Sequence, residues 1–206
     1  MWIRSDDFTD GQPIPGRNAF CVYDADEHVT FSSNLSPHLS WGDIPKGTGS
    51  FALLMIDVDV PSKGDDVNQE DRQVPHDLPR TDFTHWVMAD IGNDVKELKS
   101  GQFCDEVTPG GKPGLQSGPI EGINDYTAWF AGDANMAGKY RGYDGPCPPW
   151  NDSLIHHYVF TLLALDVETL ELASDFAAED LRSAAADHLL AEATLTGTYT
   201  LNPELF

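Results

Sequence analysis

Asp57 and Asp59 sit two apart in the run Phe51-Ala52-Leu53-Leu54-Met55-Ile56-Asp57-Val58-Asp59-Val60, which ends at Pro61. In an extended chain, side chains two apart point to the same face. His156 and Tyr158 stand in the same relation within a second apolar run, with His157 aimed at the opposite face, and His85 opens a third. Two carboxylates, two imidazoles and a phenol near strand ends would converge on one small pocket. Gly145-Pro146 precedes the His156 run. There Gly145 offers a backbone N–H and Pro146 stiffens the turn.

Three chemistries compete for this set. In an anion site, His85, His156, Tyr158 and the Gly145 N–H would donate to phosphate oxygens. Asp57 would orient a histidine, or accept from a protonated phosphate or an ammonium. In a metal centre, two carboxylates and two imidazoles would suit a divalent transition metal. In a hydrolase, Cys147 would be the nucleophile and His156 its base. That last reading is the weakest, because Cys147 lies between prolines with no helix N-terminus to lower its thiol pKa. Spacing alone separates none of them. A plainer reading makes Asp57 and Asp59 strand caps and the histidines structural. Trp129, Phe130 and Trp150 are expected to anchor loops to the core rather than stack on a ligand.

The elements that would position these groups are mainly strands. Phe51–Val60, His85–Ile91 and His156–Leu165 are the strongest apolar runs, and Ala19–Tyr23, Leu39–Trp41 and Thr194–Tyr199 are shorter candidates. Leu181, Ala185, Leu189 and Glu192 recur at helical spacing, with Glu179 and Asp180 in the first turn, so a helix is expected from about Ala178 to Glu192. Asn93–Leu98 would make a short helical turn. The long segments Ser62–Arg80, Thr108–Asn124 and Asp125–Trp150 are Gly-, Pro- and Asp-rich. The last carries enough aromatics to be an ordered cover. No repeat or boundary divides the 206 residues, so a single β-rich domain over 1–206 is expected.

Charge excludes whole classes of partner. With 34 acidic and 12 basic side chains the net charge is −22, which repels nucleic-acid phosphates and anionic lipid surfaces. No apolar stretch approaches membrane-spanning length. The first residues lack the basic and apolar regions of a signal peptide. A cytoplasmic protein without stable membrane association is expected. Cys21, Cys104 and Cys147 are too few and scattered for a disulfide framework and have no C-x-x-C spacing, so they are expected to be inert thiols.

The order of several motifs resembles one family. Ser36-Pro37-His38-Leu39-Ser40-Trp41 and Asp57-Val58-Asp59-Val60-Pro61 are similar to the S-P-x-L-S-W and D-x-D-x-P signatures of phosphatidylethanolamine-binding proteins. So are Thr84-His85-Trp86-Val87, Gly145-Pro146-Cys147-Pro148-Pro149 and His156-His157-Tyr158-Val159-Phe160. The detail looks most like the bacterial and archaeal, Raf kinase inhibitor-like branch, over about Asp10 to Tyr199. The resemblance implies a large central β-sheet packed on a smaller sheet, with few peripheral helices, one of them near the C-terminus. It also implies a phosphate-binding pocket drawn from Asp57, Asp59, Pro61, His85, Gly145, Pro146, His156 and Tyr158. Phe83 takes the place of an aromatic wall residue, His157 that of an arginine and Val58 that of a proline.

The expected function is therefore non-enzymatic capture of a small phosphate-like or phosphoethanolamine-like ligand, with a regulatory role in kinase or protease inhibition. A metal-dependent or cysteine hydrolase, and an interaction module acting through its loops, are the alternatives. No cofactor is implied, and bacterial relatives suggest a homodimer. The net charge of −22 favours a small soluble ligand over a lipid taken from an anionic bilayer.

Overall fold

The computed structural model describes residues 1–206. In chain order the strands are β1 (Trp2–Arg4), β2 (Gln12–Pro13), β3 (Cys21–Asp24), β4 (His28–Phe31), β5 (Leu39–Gly42), β6 (Ser50–Pro61), β7 (Arg80–Gly92), β8 (Glu97–Leu98), β9 (Ile120–Glu121), β10 (His156–Leu165) and β11 (Leu189–Tyr199). The helices are α1 (Tyr126–Trp129) and α2 (Ala178–Ala185). The three strongest apolar runs of the sequence pair side by side. They form the middle of a six-stranded sheet of order β2-β11-β10-β6-β7-β9, in which all but the β2–β11 pair are antiparallel.

These runs are continuously apolar because both faces of the sheet are covered. Phe51, Leu53 and Met55 of β6 pack on one side with Trp86, Met88, Phe160 and Leu162. There the small sheet β1-β5-β8 adds Ile3, Leu39, Trp41 and Leu98. The alternate residues Ala52 and Leu54 pack on the other side with Val87, Leu163 and Phe176, beneath Leu181 and Ala185 of α2. The period of two thus sorts one run into two cores. The third sheet, a β3–β4 hairpin, stands beside the site.

Two expected elements differ. The helix stops at Ala185, passes through a 3₁₀ turn at Ala186–His188 and becomes β11 at Leu189. Asp180 accepts the Ala177 N–H and fixes its start. Its end is decided by β10, whose Leu165 pairs with Leu189. Strand pairing overrides the helical spacing of Leu189 and Glu192, and Leu189 is exposed. Likewise Glu97–Leu98 pairs with β5 as a strand instead of forming a helical turn.

The cysteines also differ from expectation. Cys21 of β3 and Cys147, 126 residues later, form a disulfide, and Cys104 remains a buried free thiol. Sequence separation hid the pair, because the β3–β4 hairpin and the Gly145–Trp150 segment meet only through the fold.

Candidate functional site

Register places the site. Asp57 of β6 lies opposite Tyr158 of β10 on one side and Phe83 of β7 on the other. Three adjacent strands therefore present Phe83, Asp57 and Tyr158 in a row. His156 shares the face of Tyr158 two residues away. Its Nδ1 bonds Asp57 Oδ2 at 2.7 Å. His85 arrives through a bulge, since Ile56 pairs with Thr84 and Met55 with Trp86, leaving His85 as the extra residue of β7. Its ring meets that of Tyr158 edge-on at 5.2 Å.

A second bulge separates the two aspartates. Between Asp57 and Val60 the β6 strand has one residue more than β7. The expectation that Asp59 shares the face of Asp57 fails for this reason. Asp59 turns to the outer side, where Asp59 Oδ2 accepts the His157 backbone N–H and bonds its ring Nδ1, both at 2.8 Å. Its only tie to Asp57 is its backbone N–H, which donates to Asp57 Oδ1 at 2.9 Å.

The pocket itself is a cavity of about 550 Å³. Asp57, Pro61, Phe83, His85, His156 and Tyr158 line it; Asp59, Gly145 and Pro146 do not. Gly145 is spent on structure. Its N–H donates to Asn34 Oδ1 at 2.8 Å and its carbonyl accepts from the Tyr126 hydroxyl at 2.9 Å. A Cβ there would come within 2.2 Å of the Asn18 carbonyl oxygen, so only glycine fits. The expectation that Gly145 gives a ligand its N–H is corrected: that donor is already taken.

His156 is likewise saturated. Besides Asp57, its Nε2 bonds Asp152 Oδ2 at 3.0 Å, and Asp152 receives Arg80 through two contacts of 2.6 and 3.0 Å. Burial alone would lower the pKa of His156, but the hydrogen bonds its ring N–H groups donate to Asp152 and Asp57 outweigh it and lift it to about 9. Burial would raise the Asp152 carboxyl, but its bonds to His156 and Arg80 hold it below the ordinary value. His156 is thus an imidazolium clamped between two carboxylates, with no N–H left for a ligand. It also has no lone pair left for a metal or a thiol.

His85 is the opposite case. Its Nδ1 faces the Asp144 carbonyl at 2.8 Å. A carbonyl only accepts, so Nδ1 carries the proton. Burial lowers the pKa of this ring, against the pull of Asp57 and Asp144. Neutral His85 therefore turns the lone pair of Nε2 toward the cavity. Beside it the fully buried Tyr158 hydroxyl faces the Asp57 carboxylate. Beneath both, Asp144 is held by Asn34 at 2.9 Å, Asn124 at 2.8 Å and Lys112 at 3.2 Å. Burial raises the Asp144 carboxyl even so.

Sequence reasoning missed Asp152, Arg80, Asp144 and Lys112. Only Asp152 left a signal, lying four residues before His156. The aromatic anchors also need amendment. Phe130 stacks on Tyr126 and Trp150 on His28, as anchors do, but Trp129 is 60% exposed, and all three line the cavity.

The family profile described as phosphatidylethanolamine-binding protein matches residues 4–200. The UPF0098 protein of Aquifex aeolicus is 33% identical over 199 residues, spanning 97% of this chain and 88% of that protein. YbhB of Escherichia coli is 28% identical over 202 residues, spanning 97% and 100%. A solved Chlamydia trachomatis homologue of phosphatidylethanolamine-binding protein superposes with a TM-score of 0.65 at 26% identity, covering 96% of this chain and 95% of its own. Escherichia coli YbcL, solved as a new member of the mammalian family, gives 0.67 at 24% identity, covering 97% of each, and supports the fold. The chain belongs to the phosphatidylethanolamine-binding protein family.

Proposed function

We propose that this protein binds a small ligand without transforming it, holding a phosphate-like head group against His85, Tyr158 and Asp57. The observation that carries this is the convergence of Asp57, His85 and Tyr158, which three neighbouring strands bring together in the cavity wall. The head group must also bring a proton, because neutral His85 and the Asp57 carboxylate both accept. A monoprotonated phosphate monoester, or the ammonium of a phosphoethanolamine-like zwitterion, meets that need.

A non-catalytic role is favoured by what the groups are doing. His156 is locked as a cation between Asp57 and Asp152 and cannot serve as a base. Cys147 is bonded to Cys21 and is not a thiol nucleophile, which corrects the cysteine-hydrolase alternative. A regulatory role would then act through the ligand-filled cavity. Adding inorganic phosphate or phosphoethanolamine while following the histidine ring NMR signals tests the reading. The His85 ring should shift and His156 should move less; an unmoved His85 at saturating ligand overturns it.

A further inference from the structure

We infer that β4 is a docking edge for an extended, basic peptide segment of a partner protein, which pairs with the strand at the rim of the cavity. This partner is additional to the small ligand, and its docking does not depend on the head group. Register shows which backbone groups are open to it. Cys21 pairs with Phe31, Val22 with Thr30 and Tyr23 with Val29. One step further along the same register, the Ser32 N–H donates to the Phe20 carbonyl at 2.9 Å. In an antiparallel pair, residues that exchange hydrogen bonds alternate with residues that do not. Val22 and Thr30 therefore bond across the hairpin, while Val29 and Phe31 turn their N–H and C=O groups outward. On the β3 side the same parity sends the Cys21 N–H to the Pro146 carbonyl at 3.3 Å. On the β4 side no strand follows, because the sheet ends there. The outward groups of Val29 and Phe31 form a ladder with one side missing.

This edge borders the cavity. Successive side chains of a strand point to opposite faces, yet Val29, Thr30 and Phe31 all line it. β4 therefore meets the cavity along its edge and not by one face. Open edges are commonly blunted by proline, lysine or a bulge. β4 has neither residue, and its register with β3 is unbroken. Charge and exposure at the two ends select the occupant. At one end stand Asp24, Asp26 and Glu27 of the hairpin turn, with Glu70, whose carboxylate bonds His28 Nε2 at 2.9 Å. None of these four carboxylates is paired with a lysine or arginine. At the other end Phe31 is 59% exposed, and Trp129 on the same rim is 60% exposed. A strand with Lys or Arg toward the turn and an apolar side chain toward Phe31 complements both ends. A second copy of this chain does not. Its β4 brings no lysine or arginine to the turn, and two bodies of −22 repel.

Selection on the intact protein from a displayed library of random peptides, each about nine residues long, tests this. Selected sequences should be enriched in Lys and Arg. A synthetic peptide from that pool should shift the Val29 and Phe31 amide NMR signals. Phe31→Pro removes one outward N–H at an edge position that proline accepts, and should weaken that peptide about tenfold. Phe31→Val keeps the N–H and should weaken it only about threefold. Asp26→Lys combined with Glu27→Lys, at exposed side chains beyond the paired residues, should weaken it about tenfold. That double variant keeps the inference testable where Phe31→Pro does not fold. Failure to select any peptide, selected peptides without a basic bias, or Val29 and Phe31 amides that stay unmoved would each overturn it. So would a dimer that Phe31→Pro dissociates, since the edge would then belong to a second copy. All of these outcomes leave the head-group reading standing.

Discussion

His85 donates its Nδ1 proton to the Asp144 carbonyl at 2.8 Å, and this one bond decides what the cavity can hold. It leaves Nε2 as an acceptor beside the acceptor Asp57. Phe83, Tyr126 and Tyr158 pack against the ring, and the charges facing it, Asp57, Asp144 and Asp125, are all acidic. An anion without a proton meets lone pairs on two sides until His85 is itself protonated.

Sulfate and phosphate should therefore part company with pH. Sulfate carries no proton in this range, so its binding should appear only as the pH falls below the ordinary histidine range, when Nε2 becomes a donor. Phosphate brings its own proton and should still bind near neutrality, tightening by up to about tenfold per pH unit where one proton is taken up. His85→Phe should remove the pH dependence of sulfate binding. Calorimetry with both anions across the range checks this, and sulfate bound equally at alkaline and acid pH would refute the tautomer argument.

The two pocket histidines should pull stability in opposite directions. The folded pKa of His156 is raised to about 9 from an unfolded value near 6.5. Its stabilising contribution is then complete below about 6.5 and is lost as pH rises through about 9. His85 has a folded pKa below its unfolded value, so its neutral burial disfavours the folded state progressively as pH falls below about 6.5. Thermal unfolding of the wild type should weaken from neutrality toward pH 10. His156→Gln should be less stable at neutral pH by about 3–5 kcal/mol, because Asp57 and Asp152 lose their shared cation. It should also show a flatter alkaline limb.

The sequence made the frame of this site legible and not its wiring. The run His156–Leu165 is the β10 strand residue for residue, and Asp57, His85, His156 and Tyr158 do meet. Apolar runs and a period of two suffice for that much, because the pleat sets which side chains share a face. Bulges break the period without marking the sequence. One brings His85 into the cavity, and the other takes Asp59 out of it. The partners that set protonation, Arg80 and Asp152 for His156 and Lys112 for Asp144, come from loops or a strand end whose position depends on the whole fold.

Asp59 offers a direct check on the bulge. Its contact with His157 lies on the outer side, and the imidazole is about half exposed. Pairs of this kind contribute about 0–1 kcal/mol. Asp59→Ala should cost little stability and leave inorganic phosphate affinity within about twofold, whereas Asp57→Asn should weaken it by an order of magnitude or more, about 1.4 kcal/mol. Comparable losses from the two substitutions would place Asp59 in the cavity and refute the register assigned here.

The Cys21–Cys147 bond closes a loop of 126 residues around most of the fold. Cross-links over long loops typically add about 2–4 kcal/mol, mainly by restricting the unfolded chain. Cys147→Ser should lower unfolding stability by that order. Titrating thiols in denaturant should find one per chain, Cys104, without reductant and three after reduction. Disulfides persist mainly in oxidising compartments. A cytoplasmic setting, expected from the sequence, would require this one to resist the cellular dithiol pool. Equilibration with dithiothreitol buffers of graded potential measures that resistance. A bond that opens at potentials less reducing than about −250 mV, within the cytosolic glutathione range, would assign the protein either an oxidising compartment or a reduced, looser cavity in the cell.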